Sequence, residues 1–139
     1  MTEKAAIAHI LSTCRTVAVV GLSPKPQRAS FDVSRYMQAQ GWRVVPINPV
    51  AAASGTLILG EKVYATLTEA AQHEAIDLVN VFRNAEDVPP VVDEAIVLGM
   101  SALWLQLGIS HEVAAVKARA AGLHVVQNKC LKVEHALHA

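Results

Sequence analysis

TVAVVGLSPKPQRAS, residues Thr16 to Ser30, is the stretch that decides the fold. The uninterrupted run Thr16–Val20 is rich in β-branched residues, which is typical of a strand buried on both faces. The loop Gly21–Ser30 combines one glycine with two prolines, two cations and two serines. An amphipathic stretch from Phe31 to Gln40 follows with helical spacing, and Gly41 stands where such a helix would be capped. Together these segments predict a strand, a connecting loop and a helix.

The same alternation of strand and helix continues along the chain. Apolar runs predict four further strands, which are Arg43–Ile47, Asp77–Phe82, Ala102–Leu105 and His124–Gln127. Helical spacing predicts Glu3–Thr13, a short helix capped by Thr68 and ending near His73, Val88–Leu98, Glu112–Ala121, and a last turn or two over Lys132–Leu137. Pro46 cannot donate to a strand ladder, so we expect the second strand to end there or to lie at a sheet edge. Asn48 to Leu67 is expected to be a long connection with room for a short hairpin.

Strands that alternate with helices through short links predict parallel strands and right-handed crossovers. We therefore expect an α/β fold that is Rossmann-like and doubly wound. It would have a five-stranded, mainly parallel sheet with helices on both faces, formed by residues 1–139 as a single domain. Ligands of such sheets bind beyond the carboxyl ends of the strands. The candidate site residues are therefore those that follow each strand, namely Gly21–Ser30, Asn48 and Pro49, Arg83, Gln106–Ser110 and Asn128–Lys132.

The loop after the first strand has the composition of an anion site. Gly21 allows a tight turn, and Ser30 is placed to cap a helix that begins at Phe31. Lys25 and Arg28 add two positive charges, and no acidic residue occurs between Gly21 and Phe31. Because the first strand-to-helix turn of this fold commonly carries phosphate, the loop favours a diphosphate-bearing ligand. An ordinary connecting loop with solvated cations is the alternative on these residues alone.

Two familiar nucleotide motifs are missing from this loop. Gly21 is not followed by the further glycines of the G-x-G-x-x-G fingerprint. The second strand ends in Asn48-Pro49 and lacks the acid that would hold a ribose diol. The loop also lacks the Gly-Lys-Ser/Thr of a P-loop. These departures disfavour NAD and ATP without excluding either.

The overall composition limits the classes of partner. The chain is 53% hydrophobic and has a formal net charge of zero, so no global charge points to nucleic acid or to a membrane surface. The N-terminus lacks the pattern of a signal peptide, and no apolar run is long enough to span a bilayer. We expect a cytoplasmic protein in which Cys14 and Cys130 are reduced thiols.

Five segments, taken in order, resemble a known family. They are VAVVGLSPKPQRASFDVSRYMQAQGWRVVPINP, GEKVYATL, IDLVNVFR, LWLQLGI and GLHVVQNKCLKVEH. Over nearly its whole length the chain resembles the small stand-alone CoA-binding proteins and the N-terminal CoA-binding domain of the succinyl-CoA synthetase α-subunit. The resemblance implies a Rossmann-like fold and coenzyme A as the cofactor.

The resemblance also implies which residues hold the ligand. Gly21, Ser23, Lys25, Arg28 and Ser30 match the loop around the CoA diphosphate. Asn48 and Pro49 match the turn beside the adenosine, and Val81, Phe82 and Arg83 match the strand end beside the nucleotide and the start of the pantetheine arm. Gln106, Gly108 and Ile109 match the loop near that arm. The chain departs from the pattern at Val50–Ala53, where the synthetase can place a lysine for the ribose 3′-phosphate, and at Asn128-Lys129-Cys130, where the family often has Asp-Arg-Cys.

No catalytic residue and no metal ligand can be assigned from the sequence. None of the six histidines lies in a recognised catalytic motif, and no pair of carboxylates is placed for acid–base work. Cys130 lies between Lys129 and Lys132, so we hypothesise that it can form a mixed disulfide with the CoA thiol. A small buried packing residue is the alternative for Cys130.

The functional expectation is a module that binds CoA or an acyl-CoA as a carrier, sensor or regulator. Its partner would be this small molecule, with no nucleic acid and no membrane. The alternatives are an NAD(P)-dependent enzyme on a Rossmann-like sheet and a subunit of a split acyl-CoA ligase. The sequence leaves open whether the chain is an enzyme.

Overall fold

The computed structural model describes residues 2–138. The helices are α1 (Glu3–Thr13), α2 (Ala29–Ala39), α3 (Pro49–Ser54), α4 (Leu67–Ala71), α5 (Val88–Val97), α6 (Glu112–Ala120) and α7 (Leu131–His138). The strands are β1 (Thr16–Val20), β2 (Arg43–Ile47), β3 (Leu78–Val81), β4 (Ala102–Leu105) and β5 (His124–Val126). A 3-10 turn over Ala85–Asp87 precedes α5.

All the pairs of neighbouring strands are parallel, and the strand order is β2-β1-β3-β4-β5. The chain moves outward from β1 to β2 and then crosses back to β3 on the other side of β1. The strand order therefore reverses between β1 and β3, which is where a sheet of this kind opens a crevice for ligands. The predicted Rossmann-like fold is confirmed, with a sheet that is wholly parallel.

The apolar run of β1 is explained by burial on both faces of the sheet. Val17 and Val19 pack with residues of α1, α2 and α7, whereas Ala18 and Val20 pack with residues of α4, α5 and α6. All four side chains are at most 5% exposed. A strand that alternates between two apolar layers has no position at which a polar side chain is favoured.

Pro46 lies in β2, which forms one edge of the sheet, so its expected edge position is confirmed. The Pro46 carbonyl accepts a hydrogen bond from the Tyr64 amide at 3.0 Å, and the Asn48 amide donates to the Tyr64 carbonyl at 2.9 Å. The carbonyl and the nitrogen of one strand residue point to the same side, so the Pro46 nitrogen also faces away from β1. The N–H that proline lacks is therefore not one that the pairing with β1 would use.

The structure differs from the prediction in two features of the long connection between β2 and β3, which are an additional helix and the cap of α4. A short hairpin closed by a bridge between Ile58 and Glu61 is present, but α3 also forms and was not predicted. The cap of α4 is Thr66, whose hydroxyl accepts from the Glu69 amide, so the prediction of Thr68 was wrong. Thr68 lies inside the first turn and donates its amide and its hydroxyl to Glu94.

The predicted limits of α1, β1, β2 and β4 are confirmed, and those of the other predicted elements differ from the structure by one or two residues. The Asp77 carboxylate accepts from the amides of Arg15 and Thr16, so Asp77 is a connecting residue just before β3. No helix within residues 2–138 is long and apolar enough to cross a membrane.

Candidate functional site

An open pocket of about 340 Å³ lies over the carboxyl ends of β1 and β3, where the strand order reverses. Its lining residues are Gly21, Ser23, Lys25, Arg28, Ala29, Ser30 and Phe82. The loop after β1 and the first turn of α2 supply all of these except Phe82, which follows β3. The structure therefore brings together the five loop residues that the sequence singled out, and it adds Ala29.

Gly21 forms the floor of the pocket, where two loops touch through their backbones. Its φ is +88°, and a Cβ added there would overlap the Phe82 carbonyl oxygen and lie 3.2 Å from the Phe82 carbonyl carbon. The Gly21 amide also donates to the Ile47 carbonyl at 2.9 Å. This position requires glycine for two reasons, because both the backbone angle and the lack of space exclude a side chain.

Two serine hydroxyls hold the loop in shape. Ser30 Oγ accepts from the Ser23 amide at 3.0 Å, and Ser23 Oγ accepts from the Lys25 amide at 3.1 Å. The prediction that Ser30 caps the helix is wrong, since α2 begins at Ala29 and Ser30 lies within its first turn, facing back to the loop. A hydroxyl that accepts a hydrogen bond still has its own hydrogen to donate, so both serines can donate to a ligand oxygen.

The start of α2 presents the positive features of the site. Its N-cap is Arg28, and no described side chain accepts a hydrogen bond from the first amides of the helix. The amides of Phe31 and Asp32 donate to the Arg28 carbonyl, so the amides of Ala29 and Ser30 are the ones without a described acceptor, at the positive end of the helix dipole. Lys25 and Arg28 are exposed beside them, and neither forms an ion pair with an acid of residues 2–138.

The acid nearest to this loop in sequence, Asp32, is held on the side of α7. Its carboxylate accepts from Lys132 Nζ at 2.9 Å and from Arg35 at 3.1 Å. The hydrogen bond from Lys132 lowers the pKa of Asp32, so the carboxylate stays ionised and compensated by cations. The positive charge of Lys25 and Arg28 is therefore not cancelled locally.

Asn48 connects the loop after β1 to α3. Its side-chain amide donates to the Leu22 carbonyl at 3.0 Å, and its side-chain oxygen accepts from the amides of Val50 and Ala51. Pro49 is the first residue of α3 and is exposed. Both ends of the Asn48 amide are therefore occupied within the protein, and the residue fixes the position of the loop that carries Gly21 and Leu22.

The three predicted residues at the end of β3 lie in different surroundings. The Val81 side chain is fully buried in the core on the face of α4, α5 and α6. Phe82 is partly buried and lines the pocket. Arg83 is exposed, and its Cδ would lie 3.5 Å from a Cβ at position 21. Phe82 and Arg83 are thus the two side chains of this group that border the open crevice.

The predicted residues after β4 form a second cluster, which is tied to the segment after β5. Gln106 is 4% exposed, and its side-chain oxygen accepts from the Leu131 amide at 3.2 Å. The backbone N–H of Gly108 donates to the side-chain oxygen of Asn128 at 2.7 Å, and the backbone N–H of Asn128 donates to the Ile109 carbonyl. Asn128 has a φ of +54° and was not predicted as a structural residue. These contacts join the two loops, and none of these residues lines the pocket over β1.

The histidines and acids provide no sign of a metal centre in the described part of the chain. No group of three or more His, Cys, Asp or Glu residues within 2–138 is arranged to hold an ion. His111 caps α6, since its Nδ1 accepts from the Ala114 amide at 3.1 Å. Trp104, which lies in β4, is fully buried.

The two thiols should differ strongly in reactivity. Burial raises the pKa of Cys14 to about 11, which leaves about one thiolate in a thousand at pH 8. Cys130 is partly exposed at the carboxyl side of the sheet, just before α7. We expect iodoacetamide at pH 8 to alkylate Cys130 first and Cys14 only after unfolding, as read by peptide mass spectrometry. Equal rates for both in the folded protein would contradict this expectation, and CoA disulfide as a second reagent tests the mixed disulfide directly.

Comparison with known proteins gives a consistent result. A model of the CoA binding domain matches residues 15–136. An uncharacterised protein of Bacillus subtilis (strain 168), YneT, is 37% identical over 135 residues, which cover 97% of this chain and 96% of that protein. A structure from Thermus thermophilus is 34% identical, has a TM-score of 0.88, and is matched over 99% of this chain and 98% of its own.

A longer protein shares the fold alone. It is the dinucleotide forming acetyl-coenzyme A synthetase 1 of Ca. Korarchaeum cryptofilum, solved with phosphate and ADP. The match has a TM-score of 0.69 at 21% identity and covers 82% of this chain but only 26% of the synthetase. The arrangement of strands and helices described above therefore recurs as one part of a larger chain.

Proposed function

The chain belongs to the CoA binding domain family, and from that premise we propose that it binds coenzyme A or an acyl-CoA in the pocket over β1 and β3. The observation that carries the proposal is the uncapped start of α2, which borders this pocket beside two cations that no described acid compensates. A diphosphate is the part of CoA that such a surface suits, since amides at a helix start and charged side chains both favour anions.

The serines extend the proposed diphosphate site. Ser23 and Ser30 each accept a backbone hydrogen bond, and each keeps one hydrogen for a phosphate oxygen. Because these internal bonds hold the loop before a ligand arrives, little ordering remains to be done on binding. Phe82 and Arg83 border the same crevice and would lie beside the nucleotide and the first part of the pantetheine arm.

The proposed role is that of a carrier, sensor or regulatory module in the cytoplasm. The two cysteines are free thiols in this structure, which suits a reducing compartment. One alternative is a subunit of a split acyl-CoA ligase, and it is supported by the fold that this chain shares with one part of the longer synthetase. The two roles differ in one respect that can be measured, because a self-sufficient binding module needs no partner protein to hold CoA.

Calorimetric titration of the purified chain with CoA tests the proposal, with NAD and ADP as control ligands. We expect CoA to bind with a Kd in the micromolar range and both controls to bind much more weakly, since neither carries the pantetheine arm. Failure of the pure chain to bind CoA would refute a self-sufficient module. Tighter binding of NAD than of CoA would favour the alternative of an NAD(P)-dependent enzyme.

A further inference from the structure

The surface beside the carboxyl end of β2 differs chemically from the diphosphate site. In doubly wound sheets that bind dinucleotides, the diphosphate lies at the start of the first crossover helix and a ribose lies near the end of the second strand. Here the end of β2 leads directly into α3, so the ribose of a ligand whose diphosphate lies at α2 would face α3. The side chains of α3 therefore decide what the ribose end encounters.

That surface is apolar and uncharged. The sequence of α3 is PVAAAS, in which the Val50 side chain is 80% exposed and Ala51 is buried. Asn48, at its start, caps α3 with its side-chain oxygen and binds the Leu22 carbonyl with one N–H, so it offers at most one neutral N–H and no charge. A ribose phosphate at this place would meet the Val50 side chain and water.

The nearest cations along the chain are engaged elsewhere. Arg43, at the opposite end of β2, is paired with Glu61 at 2.7 Å and with Glu74 at 2.9 Å. Lys62 Nζ lies over the Tyr64 ring, 5.2 Å from its centroid. The exposed cations that border the pocket are Lys25 and Arg28 after β1 and Arg83 after β3, and none of the three lies on the α3 side.

We propose that this site binds CoA-type ligands through the diphosphate and the pantetheine arm and does not distinguish ligands with a ribose 3′-phosphate from those without it. The proposal rests on the proposed binding of CoA and adds the ligand class, which is then CoA together with dephospho-CoA. A phosphate dianion that stays solvated beside Val50 contributes little to affinity, because exposed charges without a close partner are screened by water and salt.

Parallel titrations with CoA and dephospho-CoA test the proposal. We expect the two Kd values to agree within about threefold at moderate salt, as for a charge that makes no close contact. A preference for CoA of about tenfold or more would overturn the inference while leaving CoA binding intact, since tenfold matches one well-formed charged contact. Absence of binding by both ligands would overturn the proposed function itself and this inference with it.

A gain of discrimination provides the second test. Val50→Lys places a cation on the exposed face of α3, and Val50→Gln is the matched uncharged control. We expect Val50→Lys to strengthen CoA binding by about threefold to tenfold and to leave dephospho-CoA unchanged, as for a partly exposed ion pair. If Val50→Lys folds, as shown by circular dichroism, and still binds both ligands equally, the ribose does not face α3 and the inference is wrong.

Discussion

The double variant Lys25→Ala/Arg28→Ala should lose affinity for CoA by at least about thirtyfold, which corresponds to about 2 kcal/mol in total, or about 1 kcal/mol for each exposed and partly screened charged contact. Both side chains border the pocket and are exposed, so their removal takes away charge without opening a cavity in the core. Calorimetry at one fixed salt concentration measures the loss, because part of any phosphate contact is screened by ions.

A second double variant separates this local effect from a change of overall charge. Lys117→Ala/Arg119→Ala also removes two positive charges, but from α6, where Lys117 pairs with Asp93 and Arg119 with Glu112. We expect its affinity for CoA to stay within about twofold of the unaltered chain, since distant exposed charges are largely screened. If the unaltered chain and both double variants bound CoA with equal affinity, the loop after β1 would not hold the diphosphate.

Gly21→Ala should be the most destabilising single substitution in the site, with a loss of about 2–4 kcal/mol in the free energy of unfolding. The new Cβ would overlap the carbonyl oxygen of Phe82, which is backbone and cannot rotate away. Either the loop after β1 or the end of β3 must therefore move. Urea unfolding followed by circular dichroism measures the loss.

Gly41→Ala is the matched control for this substitution. Its φ of +91° is close to the +88° of Gly21, but an added Cβ at position 41 meets no atom within 4 Å. The free energy of unfolding of Gly41→Ala should fall by only about 1–2 kcal/mol, which is the strain of a left-handed backbone alone. If the two variants lost equal stability, the contact between Gly21 and Phe82 would contribute nothing.

The parts of the fold that the sequence predicted are those set by burial patterns. Residues 17–20 of β1 are all apolar, and this pattern marks a strand with a helical layer on each face. Once the strands are parallel, topology alone places the loop Gly21–Ser30 at the ligand edge. The structure has an open pocket at this loop, whereas the ligand that the loop would hold stays a prediction.

The parts that were missed depend on where helices begin. The sequence does contain a signal for α3, because Asn48 and Pro49 have the residue types of an N-cap and a first helical position, and three alanines follow. Ser30 was assigned to a cap because its hydroxyl could serve a helix beginning at Phe31. Local sequence did not show that the helix starts two residues earlier, and the Ser30 hydroxyl then turns to the Ser23 amide.

The contacts of Asn48 illustrate a limit of another kind. Its side chain reaches the carbonyl of Leu22, which is 26 residues away in the sequence. No periodicity or spacing identifies such a pair, since it exists only after β1 and β2 have paired. The sequence singled out Asn48, but its contact with Leu22 is found only from the folded structure.

The outer side of β2 has a consequence for self-association. An uncovered strand edge is a template on which another chain can add a strand, and natural proteins block such edges with proline, charge or a short covering segment. Here Pro46 offers no donor on that side, the charged Arg43 is exposed at the start of the strand, and Tyr64 occupies the groups at its end. The proline that looked out of place in a strand thus helps to prevent edge-to-edge aggregation.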